Sequence, residues 1–484
     1  MKRGAPMKEK RIFDHPILDF DRGQEFYFDF EGEKVKAYEG ETIASALYAD
    51  GLKKFTESKE LKRPRGFFCA IGKCSSCIMS VDGRPHVRTC VTKAEKGMKV
   101  ERHGSKPEFP DIDVGRGKER KDKKIEIAVI GGGPAGLMAA ITAARLGSEV
   151  HLFDEGADLG GQLVKQTHQF FGSHEEDAGT RGIVIGEDLA AEAKKLGVKV
   201  RPNTKVLGYY EDNKVTVERD GRLEIYDVGG IVYAGGAIEN YLAFENNDLP
   251  GVYGAGGVQT LMNEEGIVPG EKVLMVGSGN VGLIVSYQLI QAGVDVAEVI
   301  EALPSIGGYQ VHASKIRRAG VPIQTSHTIV KAVGEDEVEG AVVHQVDEDW
   351  KKVEGTERKI DCDIICLAVG LRPDTSFLRQ ADCEMEYVAE LGGFVPLRTE
   401  DMRTTTKGIY VAGDSAGIEE ATVAALEGKL AGAALHEELN EEDEETKRLK
   451  REAKKGLEQM RKGPYGKVPR LGVKTCTVDE EVCG

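Results

Sequence analysis

The stretch IEIAVIGGGPAGLMAA, residues 125–140, decides the fold. A β-branched run ends at GGGPAG and an Ala-rich run with helical spacing follows, so the sequence predicts a strand, a tight turn and a helix. Three glycines form the pattern GxGxxG: Gly131, Gly133 and Gly136. They let a pyrophosphate approach the helix N-terminus. The next predicted strand, 149–153, ends at Asp154, 154 − 131 = 23 residues after the first glycine, where a carboxylate accepts hydrogen bonds from ribose hydroxyls. This order predicts a dinucleotide-binding unit.

The same pattern occurs a second time, in VLMVGSGNVG, residues 273–282. Its glycines are Gly277, Gly279 and Gly282. The two patterns begin 277 − 131 = 146 residues apart, and Glu301 follows the second at the end of the predicted strand 297–300. Because a carboxylate there repels a 2′-phosphate, NAD(H) is favoured over NADP(H). The alternative is a degenerate site that keeps only the shape.

Upstream of both patterns, residues 24–104 predict a small β-rich unit. Its predicted elements are strands at 26–30 and 35–37, a helix at 42–50 capped by Thr42, and a hairpin turning at Asp82 and Gly83. By contrast, residues 125–440 alternate β-branched with Ala-rich runs, which predicts an α/β fold with parallel sheets.

The N-terminal unit has four cysteines in the spacing C-x4-C-x2-C-x12-C: Cys69, Cys74, Cys77 and Cys90. This spacing matches the ligand set of a plant-type [2Fe–2S] cluster. Gly72 permits the positive φ that such a loop needs to turn its N–H groups towards the sulfurs. The alternatives are a zinc site, which prefers paired C-x2-C knuckles, or buried free cysteines.

Basic residues surround this loop: Lys53, Lys54, Lys59, Lys62, Arg63, Arg65 and Lys73. Positive charge there is expected to raise the cluster potential and to attract an acidic electron partner. The alternative is a solvated charged rim.

The overall composition excludes some partners. The chain has 484 residues and a net charge of −16, with 6 % aromatic residues, which argues against nucleic acid or an anionic membrane as partner. The uncharged run 127–144 is explained by the strand, turn and helix rather than by a membrane span. No signal peptide is apparent, so we expect a cytoplasmic protein in which nine cysteines serve metal or redox chemistry. High Lys and Glu content suits a thermophile.

Four further segments resemble motifs of the two-dinucleotide-binding-domain flavoprotein superfamily. They are DEGADLGGQL (154–163), IVYAGGAIEN (231–240), ICLAVGLRPDTSFL (365–378) and GIYVAGDSAG (408–417). The resemblance implies FAD at the first glycine turn, with Gly161 and Gln162 beside it. It also implies that Asp414, after Gly413, holds the ribityl and pyrophosphate region. Gly235 stands where threonine is usual.

The resemblance implies an α/β fold of two nested Rossmann-like dinucleotide-binding domains, glutathione-reductase-like, preceded by a β-grasp ferredoxin-like domain. The predicted domains are a β-grasp [2Fe–2S] domain at 1–104, a linker at 105–124, an FAD-binding domain at 125–250 and 371–440, an NAD-binding-like domain at 251–370, and a charged helix and tail at 441–484.

A narrower resemblance rests on RPRGFFCAIGKCSSCIMSVDGRPHVRTC (63–90) and FENNDLPGVYGAGGVQTL (244–261). Both are similar to the α subunits of heteromeric amine dehydrogenases, a group with sarcosine oxidase, hydrogen cyanide synthase, opine dehydrogenase and dye-linked L-proline dehydrogenase. This implies an electron-relaying role for the chain, with a partner β flavoprotein that oxidises the amine. In some members the resemblance also implies an FMN between the two chains and a small ferredoxin-like chain. L-Proline is the favoured substrate.

Two other functions stay open. The second glycine pattern with Glu301 suits a self-sufficient NADH-dependent electron-transfer oxidoreductase. A non-catalytic scaffold subunit would bind a plain adenine nucleotide such as ATP at the first site, because GxGxxG with Asp154 recognises only the ADP moiety.

The remaining cysteines and histidines predict little chemistry, and the catalytic residues stay unknown. Cys362 and Cys366 lie in the strand-like run CDIIC and are predicted to be core, which disfavours disulfide reduction. His168 and His174 are interpreted as solvent-exposed. Cys476 and Cys483 are predicted to form a flexible thiol pair in an extended tail.

Overall fold

The alternation in FYFDF produces a strand in the computed structural model, with Phe28 and Phe30 buried. The structure describes residues 10–102, 123–170, 178–210, 213–219, 221–441, 443–463 and 466–483. His174 and nearly all of the predicted linker at 105–124 lie outside these residues. The chain divides into two units, Met1–Asp113 with Glu239–Gly370, and Val114–Ile238 with Leu371–Gly484.

The N-terminal part of the first unit is a β-grasp sheet with one helix. Its elements are β1 (Glu25–Phe30), β2 (Glu33–Tyr38), α1 (Ile43–Ala49), β3 (Thr56–Glu57), β4 (Pro64–Arg65), β5 (Ile78–Val81), β6 (Arg84–Arg88) and β7 (Lys99–Glu101). The sheet order is β2-β1-β7-β5-β6, with β1 and β7 parallel. The Thr42 hydroxyl accepts the Ser45 N–H at 3.1 Å, which confirms the predicted cap of α1.

The chain then forms the first part of the second unit. Its elements are β8 (Lys123–Ile130), α2 (Pro134–Arg145), β9 (Val150–Phe153), a 3₁₀ helix (Gly161–Lys165), α3 (Gly182–Lys195), β10 (Lys199–Arg201), β11 (Lys205–Tyr210), β12 (Lys214–Arg219) and β13 (Arg222–Tyr233). β8, α2 and β9 are the strand, helix and strand that residues 125–154 predict.

The inserted segment follows. Its elements are β14 (Ala237–Glu239), β15 (Val252–Gly254), α4 (Ala255–Gln259), a π-helical turn (Thr260–Glu264), β16 (Lys272–Val276), α5 (Asn280–Gln291), β17 (Asp295–Ile300), α6 (Gln310–Arg318), β18 (Ile323–Gln324), β19 (His327–Val333), β20 (Gly340–Gln345), β21 (Arg358–Ile360) and β22 (Ile364–Leu367). The parallel sheet β15-β22-β16-β17-β18 places the second glycine turn between β16 and α5.

The chain ends in the second unit. Its elements are β23 (Leu371–Pro373), α7 (Ser376–Gln380), β24 (Met385–Val388), a 3₁₀ turn (Ala389–Leu391), β25 (Gly393–Pro396), β26 (Ile409–Val411), a 3₁₀ turn (Gly413–Ser415), α8 (Ala421–Leu439), α9 (Glu444–Lys462), α10 (Lys467–Cys476) and a 3₁₀ turn (Glu480–Val482). β26 pairs with β13, so strands from both ends of this unit share one sheet and the predicted nesting is confirmed.

The predicted extended tail is wrong, because residues 467–476 form α10. Cys476 and Cys483 are both buried, so they are not a flexible thiol pair. Cys476 packs with Val388, Leu391 and Val395. The helix before it, α9, has charged residues as expected but buries a stripe of four side chains: Thr446, Leu449, Ala453 and Leu457. Within the described ranges, none of the helices combines the length and apolar character that a membrane crossing needs.

Candidate cofactor sites

The four cysteines of the N-terminal unit lie in two hydrogen-bonded pairs. A hydrogen bond with the Cys69 thiol lowers the pKa of Cys74 to about 5. A hydrogen bond with the Cys90 thiol likewise lowers the pKa of Cys77. The partner thiols and burial raise the pKa of Cys69 and Cys90. The first proton of each pair is therefore easily lost, which favours thiolate ligands.

This two-by-two arrangement fits a binuclear cluster. Among the described residues, no three His, Cys, Asp or Glu side chains are grouped closely enough to hold one single metal ion between them. A zinc site needs its ligands around a single ion, whereas a [2Fe–2S] cluster takes two thiolates on each iron. The pairs Cys69 with Cys74 and Cys77 with Cys90 provide that division.

The loop backbone adopts the conformation that the cluster requires. Gly72 has φ +73°, as predicted, and Ala70 and Ser75 are also left-handed, with φ +57° and +63°. Backbone hydrogen bonds from Ile71 to Cys69 and from Ser76 to Cys74 stabilise the thiolate forms. Such bonds stabilise charge on the sulfurs, as they do in iron–sulfur proteins generally.

The segment after residue 239 supports this loop within the same unit. Gly254 donates its N–H to the Phe68 carbonyl at 3.2 Å. A Cβ on Gly257 would lie 2.1 Å from the Phe68 carbonyl oxygen, and one on Gly66 would lie 2.7 Å from the Cα of Pro250. These close approaches require glycine. Sequence reasoning did not assign this role to FENNDLPGVYGAGG, although its glycine content was the available signal.

The basic rim of the loop is partly neutralised by acids of the same unit. Arg63 binds Asp248 through both its Nε and Nη2 atoms, at 2.7–3.0 Å. Lys53 pairs with Glu337 at 2.9 Å, and Lys54 with Glu57 at 2.6 Å. The local positive charge is therefore smaller than the sequence indicates.

The first glycine turn has the geometry of a phosphate site. Gly131 has φ +103°, and a Cβ there would lie 2.2 Å from the Ala234 carbonyl oxygen. The Asp154 carboxylate accepts the N–H groups of Gly132 at 2.5 Å and Gly156 at 2.7 Å. α2 begins at Pro134 after Gly133, so its free N–H groups face the position of a diphosphate.

The second turn repeats this geometry. Gly277 has φ +105°, and a Cβ there would lie 2.3 Å from the Ala368 carbonyl oxygen. Glu301 accepts the N–H and the hydroxyl of Ser278 at 2.9 and 2.8 Å and the N–H of Leu303 at 3.0 Å. The second turn therefore has the same local geometry as the first.

Both turns are covered by a glycine pair that follows the acid. Gly160 donates to the Gly132 carbonyl at 2.8 Å, and Gly308 donates to the Ser278 carbonyl at 2.9 Å. A Cβ on Gly161 would lie 2.7 Å from the Cα of Gly133. Sequence reasoning missed the second pair, although the signal was present: Asp154 and Glu301 are each followed by five residues and Gly-Gly.

The late Gly-Asp motif lies beside the first turn. Gly413 has φ +68°, and a Cβ there would lie 2.8 Å from the Cβ of Ala135, at the start of α2. Burial, with a contribution from Glu427, raises the pKa of Asp414 to about 7. Gln162 is exposed, in the 3₁₀ helix that begins at Gly161.

The glycine at position 235 has a steric explanation. A Cβ there would lie 2.3 Å from the Tyr233 hydroxyl, so the tyrosine occupies the space of the usual threonine side chain. Tyr233 stacks on Phe377 with ring centroids 5.1 Å apart, which fixes that hydroxyl.

The other titratable groups do not form a second redox centre within the described ranges. All nine cysteines are free thiols. Burial raises the pKa of Cys362 to about 12 and also raises that of Cys366, so both belong to the core as predicted. His168 is half-buried and stacks on Phe170 at 5.5 Å, which differs from the expected exposure.

Two nested Rossmann-like sheets with two phosphate turns define a dinucleotide-binding flavoprotein fold. The chain belongs to the pyridine nucleotide-disulphide oxidoreductase family, which matches residues 125–428, and residues 23–105 match the 2Fe-2S iron-sulfur cluster binding domain. It is an oxidoreductase whose cofactors are FAD and a [2Fe–2S] cluster.

Proteins similar over most of the chain include components of larger enzymes. The alpha subunit of sarcosine oxidase from Corynebacterium sp. (strain P-1) is 26 % identical over 87 % of this chain and 44 % of its own length. An opine oxidase subunit from Rhizobium meliloti (strain 1021) is 27 % identical over 74 % of this chain and 82 % of its own. The crystal structure of L-proline dehydrogenase from P. horikoshii matches with a TM-score of 0.70 and 26 % identity, over 91 % of this chain and 79 % of that one. The chain therefore spans less than half of the sarcosine oxidase subunit.

Proposed function

We propose that this chain is the electron-transfer subunit of a heteromeric dehydrogenase that oxidises an amino acid or secondary amine, with L-proline favoured. The similarity to subunits of sarcosine oxidase and opine oxidase supports the substrate class, and the match to an L-proline dehydrogenase supports the particular amino acid. The observation that carries the proposal is the presence of both a four-cysteine cluster loop and two dinucleotide turns in one chain.

The residues have separate tasks in this proposal. Asp154 orients the first glycine turn and accepts the ribose of FAD, Asp414 faces the ribityl region, and the four cysteines hold the cluster. A bound flavin would supply a group that can accept two electrons and release them one at a time, and a [2Fe–2S] cluster would carry them singly. Amine oxidation is assigned to a partner β flavoprotein, an assignment supported by the similarity to proteins that are named as subunits of amine-oxidising enzymes.

The division of labour is tested by comparing the chain alone with the assembled enzyme. The purified chain is expected to accept electrons from dithionite but to oxidise L-proline at a negligible rate, and addition of the partner flavoprotein should restore turnover. Full proline oxidation by the isolated chain would contradict the proposal. Sarcosine and an opine, assayed in parallel, decide the substrate.

A second candidate is an NADH-dependent electron-transfer oxidoreductase, and the geometry of Glu301 favours it. A carboxylate held against the turn by Ser278 and Leu303 is positioned to bind an adenosine ribose. NADH added anaerobically should then bleach the visible absorbance of the flavin within a few seconds of mixing. An unchanged flavin spectrum would leave the second turn as a site for bound NAD or ATP without hydride transfer.

A further inference from the structure

Arg461 lies on the last turn of α9 and reaches two buried carboxylates of the second unit. Its Nη2 atom lies 2.5 Å from Glu419 and 2.6 Å from Glu427. The side chains of all three residues are largely buried, so this is an internal ion-pair network and not a surface contact. Such networks are strongly sensitive to loss of one member.

Glu427 connects this network to the late Gly-Asp motif. Its Oε2 atom accepts the N–H of Gly413 at 3.0 Å, while its Oε1 atom accepts from Arg461. Gly413 in turn packs on Ala135 at the start of α2. A hydrogen-bonded path therefore leads from α9 to the turn that carries Asp414.

The charge around this path is mainly negative. Glu427 faces Glu419 and Asp414 as like charges and Arg461 and Arg398 as opposite charges. Arg398 is also buried and donates to the Cys476 sulfur at 3.0 Å. Three carboxyl groups beside the site of an anionic diphosphate would repel it unless cations balance them.

We propose that Arg461 is a positioning residue for FAD. It pairs with both Glu419 and Glu427 and, through Glu427, fixes the Gly413–Ser415 turn in the conformation that presents Asp414 to the cofactor. A helix outside both dinucleotide patterns thereby sets the affinity of the flavin site.

The first test measures FAD affinity of the FAD-depleted full chain by quenching of flavin fluorescence. Arg461→Met is expected to weaken binding about tenfold or more, because an unpaired buried carboxylate then faces the diphosphate. Arg461→Lys keeps the charge but loses the two-point contact of Nε and Nη2 with Glu419, so its loss of affinity should be smaller than that of Arg461→Met. Arg448→Met, on the exposed face of the same helix, is the matched control and should bind as wild type.

A pH series separates charge from packing. Removal of Arg461 leaves Glu427, whose pKa is raised by burial, to ionise without its cation as pH rises, so the affinity of Arg461→Met should fall with increasing pH. The double variant Arg461→Met with Glu427→Gln lacks that carboxylate. It should recover most of the affinity and lose the pH dependence.

Several results would overturn the proposal. These are wild-type FAD affinity in Arg461→Met at all pH values, an equal loss in Arg461→Lys, and a double variant weaker than Arg461→Met. Arg461→Gln repeats the test with a polar side chain if the methionine variant does not fold. The cluster absorbance should be unchanged throughout, because the cluster lies in the other unit, and its loss would indicate general unfolding instead.

Discussion

The two glycine turns are near copies in geometry but are completed by different parts of the chain. In both, the first glycine lies against an alanine carbonyl, so that a Cβ would come within 2.2 Å of that oxygen at Gly131 and 2.3 Å at Gly277. In both, an acid accepts N–H groups of its own turn. The first turn is completed by the Gly413 motif and α8, whereas the helix of the second turn, α5, packs on α4, which also supports the cluster loop. The same motif is thus packed against different structural elements in its two copies.

This difference indicates that the motif alone defines an ADP-binding surface and the surroundings define the cofactor. α8 approaches α2 so closely that a Cβ on Gly428 would lie 1.9 Å from the Ala135 carbonyl oxygen. α4 contacts α5 through a hydrogen bond of 2.8 Å between Gln259 and Gln288. The first turn is therefore packed against α8, whereas the helix that follows the second turn contacts α4, the helix that supports the cysteine loop.

The largest expected effect is on folding, from the third glycine of each pattern. A Cβ on Gly136 would lie 1.8 Å from the Gly131 oxygen, and one on Gly282 would lie 2.1 Å from the Gly277 oxygen. Each change to alanine should lower the free energy of unfolding by about 3 kcal/mol or more. Gly136→Ala should also abolish FAD binding. The Gly282→Ala molecules that do fold should still bind FAD.

The middle glycines are the matched controls. Gly133 has only an ordinary contact at 3.8 Å, and Gly279 has open space. Alanine at either position should change the stability of the nucleotide-free chain by less than about 1 kcal/mol in chemical denaturation. Equal destabilisation by all four substitutions would refute the steric account.

The next effect separates the ligands of the two turns. Asp154→Asn should weaken FAD binding by about 1.5–3 kcal/mol, because the neutral amide is a poorer acceptor for the turn and the ribose. Glu301→Gln should leave FAD binding unchanged and weaken NADH or ATP binding by a similar amount. Calorimetric titration with each nucleotide measures both, and reduced FAD affinity in Glu301→Gln would break the assignment.

A further effect is a pH dependence that arises from Asp414, beside the first turn. Burial raises the pKa of Asp414 to about 7, above its unfolded value, so the folded state holds a proton that the unfolded state has lost. The Asp414 contribution to stability is full below about pH 4 and falls as pH rises to about 7, by at most about 4 kcal/mol. Asp414→Asn should therefore become more stable than FAD-depleted wild type as pH rises from 5 to 7.5, measured by thermal unfolding at about half-unit steps. A difference in stability between Asp414→Asn and wild type that stays constant across this pH range would refute the prediction.

The sequence predicts the local motifs well because each depends on near neighbours. The strand before Gly131, the acid after β9, the cap at Thr42 and the left-handed Gly72 are all confirmed. What sequence reasoning missed depends on distant contacts. Arg461 is 34 residues from Glu427, Gly257 is far from Phe68 along the chain, and Cys476 is buried because α10 packs on the 3₁₀ turn at Ala389–Leu391. Periodicity within one segment holds no information about such pairs.

The most direct test of two separate cofactor sites is the cofactor content of the purified chain beside that of Cys74→Ser. We expect about one FAD, two iron and two acid-labile sulfide per wild-type chain, and an electron paramagnetic resonance signal of a reduced [2Fe–2S] cluster. The serine variant should lose the iron and the signal and keep the FAD. Zinc without sulfide, or loss of FAD together with the iron, would contradict the assignment of cluster and flavin to separate sites.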